Sequence, residues 1–210
     1  MPALFNKYFS YCLPSSASSP GYITIGKTAD NGIKNKFLKF TPLTTKPQDK
    51  ELYGIVVTGI SVGGKNLSVK SSDYMKSGAI IDSGTTFAYL PQKAYITLEI
   101  SFVKQISEHN KLTPLSDDED QSICLDLSTA ESFIIPKISI SFKGGVELEL
   151  DVKRILSIIN KNNKHYACLA FRASTDKTEP LILGNVQQRA TDVRYDVAGG
   201  KVGFGPGGCS

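Results

Sequence analysis

Apolar side chains recur along most of this chain with a period of two, the spacing of strands whose alternate residues face opposite sides of a sheet. Glu147-Leu148-Glu149-Leu150 is the cleanest instance, with leucines on one face and glutamates on the other. Alternating or β-branched runs cover residues 8–13, 21–26, 37–43, 52–62, 67–70, 137–142, 146–150, 166–172 and 192–197. Clusters of Gly, Pro, Ser and Asn break them apart, and Gly199-Gly200 predicts a turn between two strands at 196–201. One segment changes period. Behind Pro91, a residue suited to a first helical position, Tyr95, Leu98, Phe102, Val103 and Ile106 return at helical spacing. That leaves one apolar side to lie on a sheet. A shorter helix is expected within 151–160, with a further candidate after Gly184. The fold class predicted is mainly β, with one or two short helices.

Composition narrows the picture. The chain has 210 residues, 40% of them hydrophobic, enough to bury a real core. Its 24 basic and 20 acidic residues give a net charge of +4, and the lysines are scattered. Neither nucleic acid nor a membrane surface is therefore an expected partner. No apolar run approaches the ~20 residues of a membrane-spanning helix. Residues 1–7 hold no basic segment followed by an apolar core, so no secretory signal is read there.

The cysteines argue the other way. Cys12, Cys124, Cys168 and Cys209 are far apart and form no CxxC pair, which suits neither a zinc site nor a redox motif. An even number in β-rich surroundings points to two disulfides and an oxidising compartment. Four buried thiols in a reducing one is the other reading, and three pairings stay open. Bridged cysteines without a leader would mean that the N-terminal part of a longer protein is absent.

Other features read as ordinary surface. The Ser-rich 14–20 stretch is a loop, and the acidic run at 117–120 lacks the glycine of a calcium loop. His109 and His165 have no Asp, Glu or Cys at ligand spacing, so no metal site is expected. There is no Gly-x-Ser-x-Gly elbow, and Gly63-Gly64-Lys65 lacks the rest of a phosphate loop. Asn66-Leu67-Ser68 is a glycosylation acceptor pattern, usable only on the secretory route.

One carboxylate stands out by its neighbours. Asp82 follows Ile80-Ile81, which look like the end of a buried strand, and precedes Ser83-Gly84-Thr85-Thr86. The chain then turns apolar again at 87–91. An aspartate between two buried strands needs partners or suffers desolvation. Gly84 permits a tight turn that brings backbone N–H groups to the carboxylate, and a hydroxyl three residues on can reach its outer oxygen. Taken alone, Asp-Ser-Gly is also ordinary turn chemistry.

Several separated motifs change that weighting. Ile80-Ile81-Asp82-Ser83-Gly84-Thr85 resembles the pepsin-like aspartic proteases, in which two apolar residues precede Asp-(Thr/Ser)-Gly-(Thr/Ser). Leu181-Ile182-Leu183-Gly184 resembles the later element whose strand threads beside the Asp loop. Three further stretches are similar to the C-terminal half of the plant, nepenthesin-like branch and its xylanase-inhibitor relatives. They are Phe9-Ser10-Tyr11-Cys12-Leu13-Pro14-Ser15, the 183–188 run followed by Tyr195-Asp196, and the 202–210 run.

The resemblance implies a single C-terminal lobe over residues 1–210, an aspartic endopeptidase activity and no cofactor. It implies that Asp82 is one of two catalytic aspartates. Gly84 and Thr85 would hydrogen-bond it, Ser83 would reach towards the other lobe, and Thr86 would line the cleft. It pairs Cys124 with Cys168 and Cys12 with Cys209. It also implies an extracellular or vacuolar location.

Peptide hydrolysis in this family needs two aspartates sharing one proton. Only one such motif is present, because the stretches around Asp30, Asp73 and Asp126 lack the flanking pattern. The N-terminal lobe's Asp-Thr-Gly and flap tyrosine have no counterpart here. The isolated monomer is therefore expected to be inactive. The chain could be a piece of a two-lobed secreted protease that takes peptide or protein substrates. It could instead be a homodimer with two Asp82 residues facing each other, or a non-catalytic binding module like the xylanase inhibitors.

Overall fold

The computed structural model describes residues 7–16, 18–26, 37–45, 52–111, 114–117, 122–128, 132–207 and 209. Along the chain come β1 (Tyr8–Cys12), β2 (Tyr22–Ile25), β3 (Lys39–Pro42), β4 (Gly54–Ile55), β5 (Val57–Val62) and β6 (Lys65–Asn66). The one-turn helix α1 (Ser71–Tyr74) leads into β7 (Ala79–Ile81), β8 (Ala88–Leu90) and the long helix α2 (Gln92–Asn110). Next are β9 (Leu115–Asp117), β10 (Ser122–Asp126), β11 (Ile138–Phe142), β12 (Val146–Leu150) and α3 (Val152–Ile155). The last elements are β13 (Leu156–Lys161), β14 (Lys164–Leu169), β15 (Phe171–Ala173), β16 (Leu181–Leu183), α4 (Asn185–Gln188), β17 (Thr191–Asp196) and β18 (Lys201–Pro206). The lobe is mainly β, as its patterning predicts.

Four sheets divide the work. The antiparallel sheet β2-β1-β17-β18-β3 joins the two ends of the chain, and Cys12–Cys209 ties it at a Cα–Cα distance of 6.0 Å. The antiparallel sheet β13-β14-β10-β9 carries Cys124–Cys168 between directly opposed residues. These are the pairs that the resemblance implies. By chain-entropy reasoning each closure is worth about 4–5 kcal/mol, the longer loop more. A third sheet, β12-β11-β5-β6, shows the cleanest alternation: Val146, Leu148 and Leu150 are buried while Glu147 and Glu149 face water. The fourth sheet, β15-β8-β16-β7-β4, is mixed and holds Asp82 at the end of β7.

The apolar side of α2 packs onto β5, β8 and β15 through Ala94, Tyr95, Leu98, Phe102 and Ile106. Val103, at the margin of that stripe, is only half-buried. Leu98, Phe102 and Ile106 are completely inaccessible. Truncating Phe102 to alanine would cost roughly 3–5 kcal/mol.

Some local expectations give way to hydrogen bonding. Pro91 stands just ahead of α2 as its N-cap, one position earlier than expected. Residues 67–70 form no strand: Leu67 N–H still bonds Ile60 O at 2.9 Å, but Val69 N–H closes back on Leu67 O at 2.8 Å. Only 152–155 of the 151–160 stretch are helical, because Leu156 to Lys161 pair with β14 instead. A one-turn helix does follow Gly184. Asp30 and most of the acidic run, 118–120, lie outside the described residues. No described helix is long and apolar enough to cross a membrane.

Candidate active site

Three strands fix the position of Asp82. β7 runs parallel to β16, with Ile80 opposite Ile182 and Ile81 opposite Leu183. β8 returns antiparallel to β16, with Tyr89 opposite Ile182. All three side chains of β7 are buried. The ladder carries on one residue further, since Asp82 N–H donates to Leu183 O at 3.1 Å. The carboxylate therefore emerges where a buried strand ends.

The turn supplies its own donors. Gly84 N–H donates to Asp82 Oδ1 at 2.8 Å and the Thr85 hydroxyl donates to Oδ2 at 2.6 Å. A carboxylate has about four acceptor sites, so one neutral donor on each oxygen leaves room for a further partner. Asp82 is half-buried, while Ser83, Gly84 and Thr86 are exposed.

A second loop clasps the first. Asn185 N–H donates to Thr85 O at 2.7 Å, Val186 N–H to Thr86 O at 3.0 Å, and the Asn185 carboxamide to Ser83 O at 3.2 Å. Such close approach requires glycine at 184, where a Cβ atom would meet Phe87 O at 2.2 Å and Thr85 O at 3.0 Å. On the far side of the turn, the Arg172 guanidinium lies 4.5 Å from the centre of the Phe87 ring. Such cation–π contacts are worth about 0.5–2 kcal/mol.

Beneath both loops lies a buried polar relay that the sequence patterning does not show. Gln188, fully inaccessible, donates to Leu183 O at 2.8 Å and Gly184 O at 3.1 Å. Its carbonyl accepts the Tyr11 hydroxyl. Tyr11 belongs to an aromatic cluster in which Tyr195 stacks on Phe9 at 4.5 Å and meets Tyr53 at 4.5 Å. Burial pushes the Tyr11 phenol up to about 12. A hydrogen bond with Tyr195 opposes that rise, and the charge of Asp82 adds to it. Burial likewise raises Tyr195 well above its ordinary value. Both phenols therefore stay neutral wherever carboxylates titrate. The signal in sequence is Gln187-Gln188 shortly behind Gly184, at the end of the apolar run Leu181-Ile182-Leu183. Gln187 is just as buried and donates to Ala170 O at 2.8 Å.

The structure thus gathers Asp82, Ser83, Gly84, Thr85 and Thr86 on one turn against 184–186, and places Asn66 in a different sheet. Asp73 bonds Lys93 and Asp126 bonds Ser128 and Lys164. Among the described residues, no group of three or more His, Cys, Asp and Glu gathers as for a metal.

A strand-end aspartate held by its own Gly and Thr, and clasped by a Gly-led loop from a parallel strand, is the arrangement of one lobe of the pepsin-like fold. The profile described as "Xylanase inhibitor C-terminal" matches residues 52–206, and the chain belongs to that family, the C-terminal lobe of the plant pepsin-like proteins. An "Aspartyl protease family protein" of Arabidopsis thaliana is 42% identical over 206 residues, covering 98% of this chain and 41% of its own length. "Aspartyl protease AED1" of the same plant is 40% identical over 206 residues, 98% of this chain and 42% of its own. "Aspartic proteinase nepenthesin-2" of Nepenthes gracilis is 35% identical over 210 residues, 96% of this chain and 45% of its own. The chain spans less than half the length of these relatives.

Proposed function

We propose that Asp82 is one of the two catalytic carboxylates of an aspartic endopeptidase, and that the chain cuts peptide bonds only when another lobe supplies the second. The observation that carries this is the Asp82 carboxylate itself, held by Gly84 and Thr85 on a braced turn whose Ser83, Gly84 and Thr86 are exposed. Two carboxylates brought together there would share a proton, so their titrations split. The charged one takes a proton from water as the water oxygen attacks the scissile carbonyl. The protonated one gives its proton to the carbonyl oxygen. A proton then passes to the amide nitrogen and the C–N bond breaks. General acid–base help of this kind is worth about 10²–10⁴ in rate per group. One carboxyl cannot be acid and base at once, which is why the isolated chain stays inactive in this reading.

Substrates are peptides or proteins, and the second lobe completes the cleft. Two disulfides support passage through an oxidising compartment, hence a secreted protein, extracellular or vacuolar. The test is a pepstatin-controlled peptidase assay on the purified chain beside the two-lobed protein. The two-lobed protein should cleave and lose activity on Asp82→Asn. Pepstatin-sensitive cleavage by the chain as a monomer would overturn the proposal. Sizing at several concentrations separates that monomer from a homodimer with facing Asp82 residues.

The family's description favours a second reading, a non-catalytic binding module related to xylanase inhibitors. The intact Asp82 turn weighs against it. Xylanase inhibition by a two-lobed protein that has no peptidase activity would favour it.

A further inference from the structure

Asn66-Leu67-Ser68 is the only Asn-x-Ser/Thr triplet in the chain. Its setting is a hairpin in which β6 pairs with β5, Ser61 opposite Asn66 and Val62 opposite Lys65. Gly63 and Gly64, with φ of 55° and 76°, make the two-residue turn. The hairpin is held from behind. The Gln105 carboxamide of α2 donates to Val62 O at 2.8 Å, and Gly63 N–H donates to Lys137 O at 2.7 Å. Leu67 is buried and anchors the segment in the core. Asn66 and Ser68, which flank it, are both exposed. The bond from Val69 N–H to Leu67 O bends the chain at Ser68. The acceptor amide and the hydroxyl recognised with it therefore both belong to exposed residues beside a braced hairpin.

Position and compartment agree. Among the described residues β6 is the outer strand of its sheet, so Asn66 stands on its edge. The two disulfides fit an oxidising compartment, the setting in which oligosaccharide transfer to secreted proteins also takes place.

We propose that Asn66 carries an N-linked oligosaccharide that shields the β6 edge. The inference rests on the secretory reading above. The donor is a polyprenyl-pyrophosphate-linked oligosaccharide. The Asn66 amide nitrogen forms a bond to the anomeric carbon as that carbon's bond to the pyrophosphate oxygen breaks. The nitrogen gives up a proton and polyprenyl pyrophosphate leaves. A glycan at this edge blocks strand addition by another chain, the hazard that free edges carry.

The test is peptide mapping of the full-length protein as its own cells make it, with cysteine redox state read on the same sample. A peptide-N-glycosidase tolerant of core fucose should convert Asn66 to aspartate and collapse the protein to one lower mass. Asn66→Gln and Ser68→Ala should each abolish the glycoform, and Ser68→Thr should keep it. Oxidised cysteines with an unmodified Asn66 would overturn the glycan and leave the secretory reading standing. Reduced cysteines with an unmodified Asn66 would overturn both. A sugar-dependent mass shift that survives Asn66→Gln would also overturn this assignment. Because the unaltered protein is mapped directly, a variant that fails to be secreted does not blunt the test.

Discussion

Asp82 and Asp176 each open a turn whose own residues donate to the aspartate, and the two differ in what surrounds them. Asp176 takes the N–H and the hydroxyl of Thr178 on one oxygen, both at 2.7 Å, in an exposed loop. Asp126 does the same with Ser128 and adds Lys164 on its other oxygen. Asp82 instead splits its donors, Gly84 on Oδ1 and Thr85 on Oδ2, and both are neutral. The larger difference lies outside the turn. From outside, the Asp176 turn gains the Ser77 hydroxyl on Lys177 O at 3.0 Å, and the Asp126 turn gains Lys164 and the bond from Leu127 N–H to His165 O. The Asp82 turn is clasped by 184–186 and underpinned by Gln188 and Tyr11, from opposite parts of the chain. A local turn orients a carboxylate, and long-range contacts make it rigid enough to serve as a site.

The largest effect should come from breaking the clasp. Gly184→Ala would force a Cβ into Phe87 O, a backbone atom that cannot swing aside. A loss of about 3 kcal/mol or more is expected, read as a lower midpoint in urea unfolding. Thr178→Val in the Asp176 turn should leave that midpoint nearly unchanged. Equal losses in the two variants would mean that the clasp is not what distinguishes the turns.

A smaller but still clear effect is expected one layer deeper. Gln188→Leu keeps the volume, leaves Gly184 O short of a donor, and takes from the half-buried Tyr11 hydroxyl its carboxamide acceptor. The cost should be about 2 kcal/mol. Tyr11→Phe alone should cost less, and the double variant less than the sum, because the two side chains share one bond. Strict additivity in such a cycle would show that Tyr11 and Gln188 act independently.

The same contrast explains what was legible in the sequence. Helix α2 and strand β12 announce themselves because each has one dry face, so period reports burial. The Asp82 turn does not, since Asp-Ser-Gly resembles any exposed turn. Only its distance from Leu181-Ile182-Leu183-Gly184, and the order of the other motifs, lift it out. β7 and β16 are three residues each and largely buried, too short to show any period. The 151–160 stretch misleads for the opposite reason. Ile158 is 61% exposed on β13, so its apolar character reports strand propensity and not a helical core stripe. Leu67 and Val69 alternate like a strand, but their backbone closes a tight turn. Gln187 and Gln188 are polar types usually found outside. They are buried because their amides donate to backbone carbonyls, Gln188 to Leu183 O and Gly184 O where β16 ends and Gln187 to Arg154 O and Ala170 O.

The smallest expected effect separates the ordinary turns from one another. The Ser128 hydroxyl and backbone N–H, then Lys164, hold Asp126 down from its ordinary 3.8 to about 2. A carboxyl whose folded pKa is depressed contributes stability that is fully present above its unfolded value. That stability is lost as pH falls through the folded one. The window is therefore about pH 4 down to about 2, and Asp176, lowered by Thr178, adds in the same sense. Asp126→Asn should flatten the acid limb of stability against pH in that window. Ser128→Ala should flatten it more than Lys164→Met, since the turn's own donors outweigh the cation. The reverse order, measured by chemical denaturation between pH 2 and 5, would show that Lys164 and not the turn holds this carboxylate. In that case Asp126 would belong with the ion pairs rather than beside Asp176.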